Sequence, residues 1–218
     1  MENSIIIDDE LKFRHPFNMI ISGGTGSGKT EWIAKLLKNY KHLISFPIEQ
    51  IIYCYGIFDP KIFEFENNFG VKSYQGLPTE EYIKNLPKNS LIIFDDLMLE
   101  AKSAYLDSIF TRGSHHWKHS FIFVTQHIFS KEIKIARNNA HYIILLKNIP
   151  GHLQVRNLAL QLYPTKTAFN AFMEAYKNAT ENNKWGYILI DLHPASSENL
   201  RLRTNIFPSE SPIIIYLE

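Results

Sequence analysis

The chain has 218 residues, of which 45% are hydrophobic, 13% aromatic and 21% charged, a composition that excludes disordered, collagen-like and coiled-coil proteins. Its net charge of +1 argues against a protein that holds nucleic acid by bulk electrostatics. A single cysteine excludes an internal disulfide and a cysteine-based zinc site. Since no apolar run approaches the ~18 residues of a membrane helix, we expect a soluble intracellular protein.

Short apolar runs recur along the chain, and several are apolar on both faces, as in the buried strands of a parallel sheet. They are Phe17–Ser22, Gln50–Tyr55, Leu91–Asp95, Ser120–Thr125, His141–Lys147 and Gly186–Asp191, with Pro212–Leu217 as an edge strand or a docked tail. Helical patterns separate them: Thr30–Tyr40, a helix capped by Thr79, Met98–Phe110 ending near Gly113, and a helix capped by Thr165. This alternation predicts an α/β fold whose mostly parallel central sheet has helices on both faces. We expect a core over residues 1–192 and a tail over 193–218.

A phosphate-binding loop is the most specific motif. Residues 23–30 satisfy G-x-x-x-x-G-K-[ST] between a predicted strand and a predicted helix, which makes a plain glycine-rich turn a poor alternative. Its glycines let successive backbone N–H groups turn toward phosphate oxygens. Lys29 would bridge the outer phosphates, and the Thr30 hydroxyl would ligate Mg²⁺. The predicted nucleotide-binding residues are Gly23, Gly24, Thr25, Gly26, Ser27, Gly28, Lys29 and Thr30.

Two carboxylates follow a buried strand. Asp95 ends the strand, where α/β folds place ligands, and it suits a Mg²⁺ ligand paired with Thr30. Asp96 would face the γ-phosphate and orient or deprotonate a water, with Glu100 as the alternative for that role. The other interpretation is a turn or an N-cap before the helix at Met98.

Gln126 ends another buried strand, where its amide could sense a γ-phosphate or simply bond to backbone. Arg112 could neutralise charge on phosphates bound by a neighbouring subunit. Alternatively, it only interacts favourably with the negative dipole end of its own helix. Arg137 competes with Arg112 for the first role. His115, His116 and His119 cluster nearby, but no cysteine or carboxylate spacing supports a metal site there.

The charge is unevenly distributed. Residues 1–110 carry 11 basic and 15 acidic side chains, whereas residues 111–218 carry 12 and 7. The simple interpretation is a solvated face. The functional one is that the basic stretch 111–147 contacts phosphates of nucleic acid.

Together these motifs resemble the FtsK/HerA superfamily of ATP-driven DNA motors, and in particular the genome-packaging ATPases of double-stranded DNA viruses and Polinton-like transposons. The likeness rests on residues 23–30, 91–96, 109–116, 121–126 and 136–148.

The resemblance implies a P-loop NTPase of the RecA/ASCE type that binds ATP and Mg²⁺ through its Walker A and Walker B motifs. Its subunits would form a homo-oligomeric ring, a pentamer or a hexamer, around double-stranded DNA, with a capsid or portal-vertex protein as a further partner. Gln126 matches the glutamine of that family, and Arg112 matches the arginine that reaches a neighbour's site. Asp96 stands where the commoner Asp-Glu pair would supply a glutamate. Because aspartate is one methylene shorter, either the attacking water is held differently or turnover is slower.

We therefore predict an ATP-hydrolysing DNA translocase that moves viral or transposon DNA into a capsid, located in the host cytoplasm or nucleus or associated with virions. Lys29, Asp96, Gln126 and Arg112 would be its catalytic residues. The alternatives are a monomeric P-loop kinase of nucleotides or small molecules, and a nucleotide-gated assembly protein with negligible turnover.

Overall fold

The computed structural model describes residues 8–97, 103–113, 116–131, 133–181, 183–210 and 212–217, without the side chains of Ser103, Asp107, Thr111 and Arg112. Its strands are β1 (Asn18–Ser22), β2 (Ile51–Tyr55), β3 (Lys72–Gln75), β4 (Leu91–Asp95), β5 (Ser120–Thr125), β6 (Tyr142–Leu146), β7 (Tyr187–Asp191), β8 (Leu202–Thr204) and β9 (Ile214–Tyr216). The α-helices are α1 (Lys29–Leu43), α2 (Lys61–Phe69), α3 (Glu80–Lys84), α4 (Ser103–Ser108), α5 (Lys134–Asn138), α6 (His152–Leu162) and α7 (Lys166–Glu181). A π-helical turn, Ile109–Gly113, follows α4.

The described strands form one nine-stranded sheet in the order β3-β2-β4-β5-β1-β6-β7-β8-β9. The six strands from β3 to β6 in this order are parallel, and β7, β8 and β9 extend the sheet antiparallel. Because β5 lies between β1 and β4, the segments that follow all three strands meet at one edge of the sheet.

Hydrophobic cores cover both faces of this sheet, which confirms the predicted α/β architecture. In β4, Ile92 and Phe94 contribute to one core, while Leu91 and Ile93 contribute to the other. Helix α1 packs on the second core, and α7 packs on the first. Burial on both sides explains why the central strands are apolar throughout.

The six predicted central strands and helix α1 are confirmed. The predicted caps are also present: the N–H of Tyr82 donates to Thr79 Oγ1 (3.1 Å), and the N–H of Ala168 donates to Thr165 Oγ1 (3.3 Å). The predicted helix start at Met98 lies outside the described residues. Strands β3 and β8 and helices α2, α5 and α6 were not among the predicted elements.

The segment after residue 192 contributes β8 and β9 to the sheet, with β9 at its edge. Arg203 in β8 forms a fully buried ion pair with Asp191 in β7 (Nη2 to Oδ2, 2.9 Å). The division of the chain at residue 192 stays a prediction. None of the described helices is long and apolar enough to cross a membrane.

Candidate nucleotide-binding site

The glycine-rich loop connects β1 to α1 and is tied to the ends of two neighbouring strands. The N–H of Gly23 donates to the carbonyl of Thr125 at the end of β5, and the N–H of Gly24 donates to that of Lys147 just after β6 (both 3.3 Å). Gly28, with φ of +100°, immediately precedes α1 in a left-handed conformation that favours glycine. The loop therefore places a helix N-terminus, with its positive dipole end, beside the sheet edge.

Two side chains of the loop suit an anionic ligand. The Lys29 ammonium donates to the carbonyls of Gly23 (2.9 Å) and Gly24 (3.1 Å). Burial lowers the pKa of Lys29, whereas the carboxylates of Asp96 and Asp95 raise it. The Ser27 hydroxyl oxygen is buried and has no hydrogen-bond partner in the described part of the chain. An ammonium held by neutral carbonyls can exchange onto negatively charged phosphate oxygens, and an unpartnered hydroxyl can donate to them.

Asp95 lies at the end of β4 and accepts a short hydrogen bond from the hydroxyl of Tyr53 in β2. Burial raises the pKa of the Asp95 carboxyl, as does the neighbouring Asp96, whereas Tyr53 and Lys29 lower it. Burial also raises the pKa of Tyr53, so its hydroxyl stays protonated and remains a donor. The sequence reasoning missed Tyr53, whose position in an apolar strand gave no sign that its hydroxyl reaches the acidic pair.

A chain of hydrogen bonds joins the glycine-rich loop to the acidic pair. The Thr25 hydroxyl donates to Gln126 Oε1 (3.0 Å), and Gln126 Nε2 donates to Asp96 Oδ2 (3.2 Å). Asp96 has a left-handed φ of +55°, and its N–H donates to the carbonyl of Val124 in β5 (3.2 Å). Gln126 thus bridges the ends of the three strands that β5 brings together.

A cavity of about 430 Å³ opens beside this chain of hydrogen bonds. It is lined by Gly24, Thr25, Gly26, Ser27, Gln126, His127, Lys147, Asn148, Ile149, Pro150, Gly151 and Gln154. The cavity therefore gives solvent access to the middle of the loop and to the bridging glutamine.

The donor set fits Mg²⁺. Thr30 offers a hydroxyl at the start of α1, and Asp95 has a second carboxylate oxygen besides the one that accepts from Tyr53. Within the described residues there is no cluster of three or more His, Cys, Asp or Glu side chains for a metal. Mg²⁺ does not need one, since it binds through one or two carboxylates together with phosphates and water.

The candidate arginines differ in what the structure describes. Arg112 lies in the π-helical turn, but its side chain is outside the described part, as are Glu100 and His115. Arg137 is held by contacts within its own chain: its guanidinium donates to the carbonyl of Ile128 (2.8 Å) and stacks 4.1 Å from the Phe129 ring. This packing makes Arg137 the poorer candidate for contacting another subunit.

The amino-acid sequence matches one known protein family. The profile of the family described as "Poxvirus A32 protein" matches residues 7–199. No curated protein is significantly similar to the chain in sequence.

Solved structures share the fold at low identity. The genome packaging NTPase B204 from Sulfolobus turreted icosahedral virus 2, in complex with AMPPCP, matches with 14% identity and a TM-score of 0.50 over 92% of this chain and 97% of its own. EssC (ATPases 2 and 3) from Geobacillus thermodenitrificans matches with 12% identity and a TM-score of 0.54 over 92% of this chain and 39% of its own. The KaiC-like protein PH0186 from Pyrococcus horikoshii OT3 matches with 16% identity and a TM-score of 0.50 over 95% of this chain and 94% of its own.

Proposed function

Because the chain belongs to the poxvirus A32 protein family and is a P-loop ATPase, we propose that it couples ATP hydrolysis to the movement of double-stranded DNA into a capsid. The genome packaging NTPase B204, which matches the chain nearly end to end, supports this proposal.

The residues at the sheet edge divide the chemistry between them. Lys29 and the loop N–H groups bind the phosphates of ATP, and Thr30 and Asp95 hold Mg²⁺. The cation, when bound, offsets the negative charge that gathers on the phosphate oxygens during transfer. Tyr53 keeps the Asp95 carboxylate in one orientation by donating to one of its oxygens. Asp96 orients or deprotonates the attacking water.

The observation that carries the proposal is the bridge from Thr25 through Gln126 to Asp96. A γ-phosphate in the loop competes for the Thr25 hydroxyl and for the Gln126 amide, so nucleotide binding rearranges this bridge. Gln126 is also the first residue after β5, and the exposed Lys131 and Lys134 follow it closely in sequence. A rearrangement of Gln126 on nucleotide binding can therefore shift the segment that follows it, whose lysines are able to contact DNA phosphates.

Assembly completes the proposed site. Arg112 acts across a subunit boundary in a ring of five or six chains, where it neutralises charge on a neighbour's γ-phosphate. Each subunit then contributes only a few cations to a central channel, which is compatible with a net charge of +1. A capsid or portal-vertex protein would be the docking partner of this ring.

The proposal is tested by steady-state ATP hydrolysis of the wild type, of Gln126→Ala and of Gln161→Ala, each with and without duplex DNA. Gln161 is an exposed glutamine on α6 and serves as the matched control. We expect DNA to stimulate the wild type and Gln161→Ala. In Gln126→Ala we expect ATP binding to persist while turnover falls by about 100-fold, the order of magnitude for losing one positioned hydrogen-bonding group.

Other outcomes point to the alternatives. A wild type that transfers phosphate to a small molecule and ignores DNA would indicate a kinase. ATP binding without turnover at any protein or DNA concentration would indicate a nucleotide-gated assembly protein. Either result contradicts the motor.

A further inference from the structure

Trp185 contacts the end of the glycine-rich loop from a distant part of the sequence. A Cβ built on Gly28 would lie 2.6–2.7 Å from Trp185 Cβ, Cγ and Cδ1, so the indole occupies the space that any other residue at position 28 would fill. Trp185 precedes β7, whose first residue pairs with the last residue of β6. The antiparallel addition of β7 thereby brings an aromatic ring to the nucleotide site.

The ring is held there in an uncommon conformation. Trp185 has a φ of +99°, which is rare for a bulky side chain and is found where surrounding structure imposes it. The next residue, Gly186, fixes the turn: its N–H donates to the carbonyl of Asn183 (3.0 Å), and a Cβ on it would lie 2.2 Å from the carbonyl of Ala179 in α7. Trp185 nevertheless remains 38% exposed, so full burial of the residue is not what this conformation achieves.

A second cavity, of about 410 Å³, has Trp185 and Lys35 of α1 in its lining. The amides of Asn183 and Asn205 line it and make no side-chain hydrogen bond to the described part of the chain. An amide can both donate to and accept from the edge of a heterocyclic base. Glu210, also in this cavity, is already engaged by Lys35 (2.5 Å) and by the Tyr187 hydroxyl (2.7 Å).

We propose that Trp185 is the stacking surface for the base of the bound nucleotide, and that the Trp185–Lys35 cavity holds that base. The inference rests on the proposed function, since it assumes that the loop binds the phosphates of a nucleotide. With the phosphates on the loop N–H groups, the ribose and base continue past Gly28, where the exposed indole lies. Aromatic side chains stack on bases of any identity, because every base has a π-face.

Lys184 does not block this use of the ring. Its ammonium lies 4.5 Å from the centre of the indole. A cation–π contact at an exposed site is weaker than the stacking of a base, so the ammonium can be displaced.

The test compares a nucleotide with a ligand that has phosphates but no base. Affinities for ATP and for inorganic tripolyphosphate are measured by calorimetry on the full chain, for the wild type and for Trp185→Ala, Trp185→Phe and Phe63→Ala. Phe63 is an exposed aromatic residue on α2 and is the matched control. We expect Trp185→Ala to weaken ATP binding about 10-fold and tripolyphosphate binding less than about 2-fold, with partial rescue by phenylalanine.

Intrinsic fluorescence provides an independent measurement once single replacements separate the emission of Trp185 from that of Trp117 and of the buried Trp32. We expect ATP to quench the emission of the wild type and of Trp117→Phe, but to leave that of Trp185→Phe nearly unchanged.

Equal weakening of ATP and tripolyphosphate in Trp185→Ala would show that the indole only shapes the loop and would overturn the inference. Unchanged ATP binding in that variant would overturn it as well, while the proposed function stood. A wild type that binds no ATP would contradict both, so the two failures are distinguishable.

Discussion

Asp95 illustrates the cost of a site built into the end of a buried strand. Burial raises the pKa of its carboxyl, so the folded chain holds the proton more tightly than the unfolded chain does. A carboxyl shifted in this direction destabilises the fold fully above its folded-state pKa, and the destabilisation disappears as the pH falls below the unfolded value near 3.8. At neutral pH the charged Asp95 therefore works against folding.

We expect Asp95→Asn to stabilise the nucleotide-free protein and to abolish its Mg²⁺-dependent turnover. The neutral amide can still accept from Tyr53 but carries no charge for the cation. A gain of about 1 kcal/mol would raise the melting temperature by about 2–4 °C. Thermal unfolding at pH 7 and at pH 4 checks this, because the gain should shrink at the lower pH. A lower melting temperature at pH 7 would contradict the account.

At the scale of elements, the central strands could be predicted because burial on both faces leaves an uninterrupted apolar run, as in Leu91–Asp95. Strand β3 could not, because Lys72–Gln75 is an exposed edge with no apolar alternation. Strand β8 is three residues long around an arginine, which resembles a loop until its partner is known.

The glycine-rich loop and the acidic pair could also be predicted from the sequence, since each is a local pattern that follows a strand. Tyr53 and Trp185 could not be predicted, because their contacts with Asp95 and Gly28 depend on which strands become neighbours. Sheet order is a property of the whole chain and leaves no mark in a short segment.

The pair between β7 and β8 allows a prediction about stability. We expect Arg203→Met to destabilise the fold by about 3–5 kcal/mol, because Asp191 then remains buried without a cation. Replacing both members with apolar residues should recover much of that loss. Lys12→Met, which breaks an exposed pair with Asp9, is the control and should leave the denaturation midpoint nearly unchanged. Urea denaturation measures all three, and an unaffected Arg203→Met would show that β8 contributes little.

At the scale of the whole molecule, the near-neutral charge conceals an acidic first half and a basic second half. Among the cations of the basic stretch, Lys118, Lys131, Lys134 and Lys147 are exposed, whereas Arg137 is packed on Phe129. DNA binding by a few exposed lysines should be independent of sequence and sensitive to salt.

We expect Lys131→Ala to weaken duplex binding equally for unrelated sequences. It should also reduce the slope of log affinity against log salt by about 1. Lys38→Ala removes an exposed lysine from the acidic half and should leave the slope unchanged. Fluorescence anisotropy over a salt series gives both values. Equal effects of the two variants would place the DNA contact elsewhere.

The central claim, a ring that completes each ATP site with a neighbour's arginine, is tested most directly by mixing two inactive variants. Lys29→Ala lacks a working loop, and Arg112→Ala lacks the arginine offered to the neighbour. Random 1:1 mixing leaves about a quarter of the interfaces with both residues intact.

We therefore predict that each variant alone is nearly inactive in DNA-stimulated ATP hydrolysis and that the mixture regains a substantial part of the wild-type rate. Arg137→Ala, whose arginine is held within its own subunit, should retain most of that rate when it is measured alone. A mixture of Lys29→Ala and Arg112→Ala no more active than the mean of its two components would contradict the account.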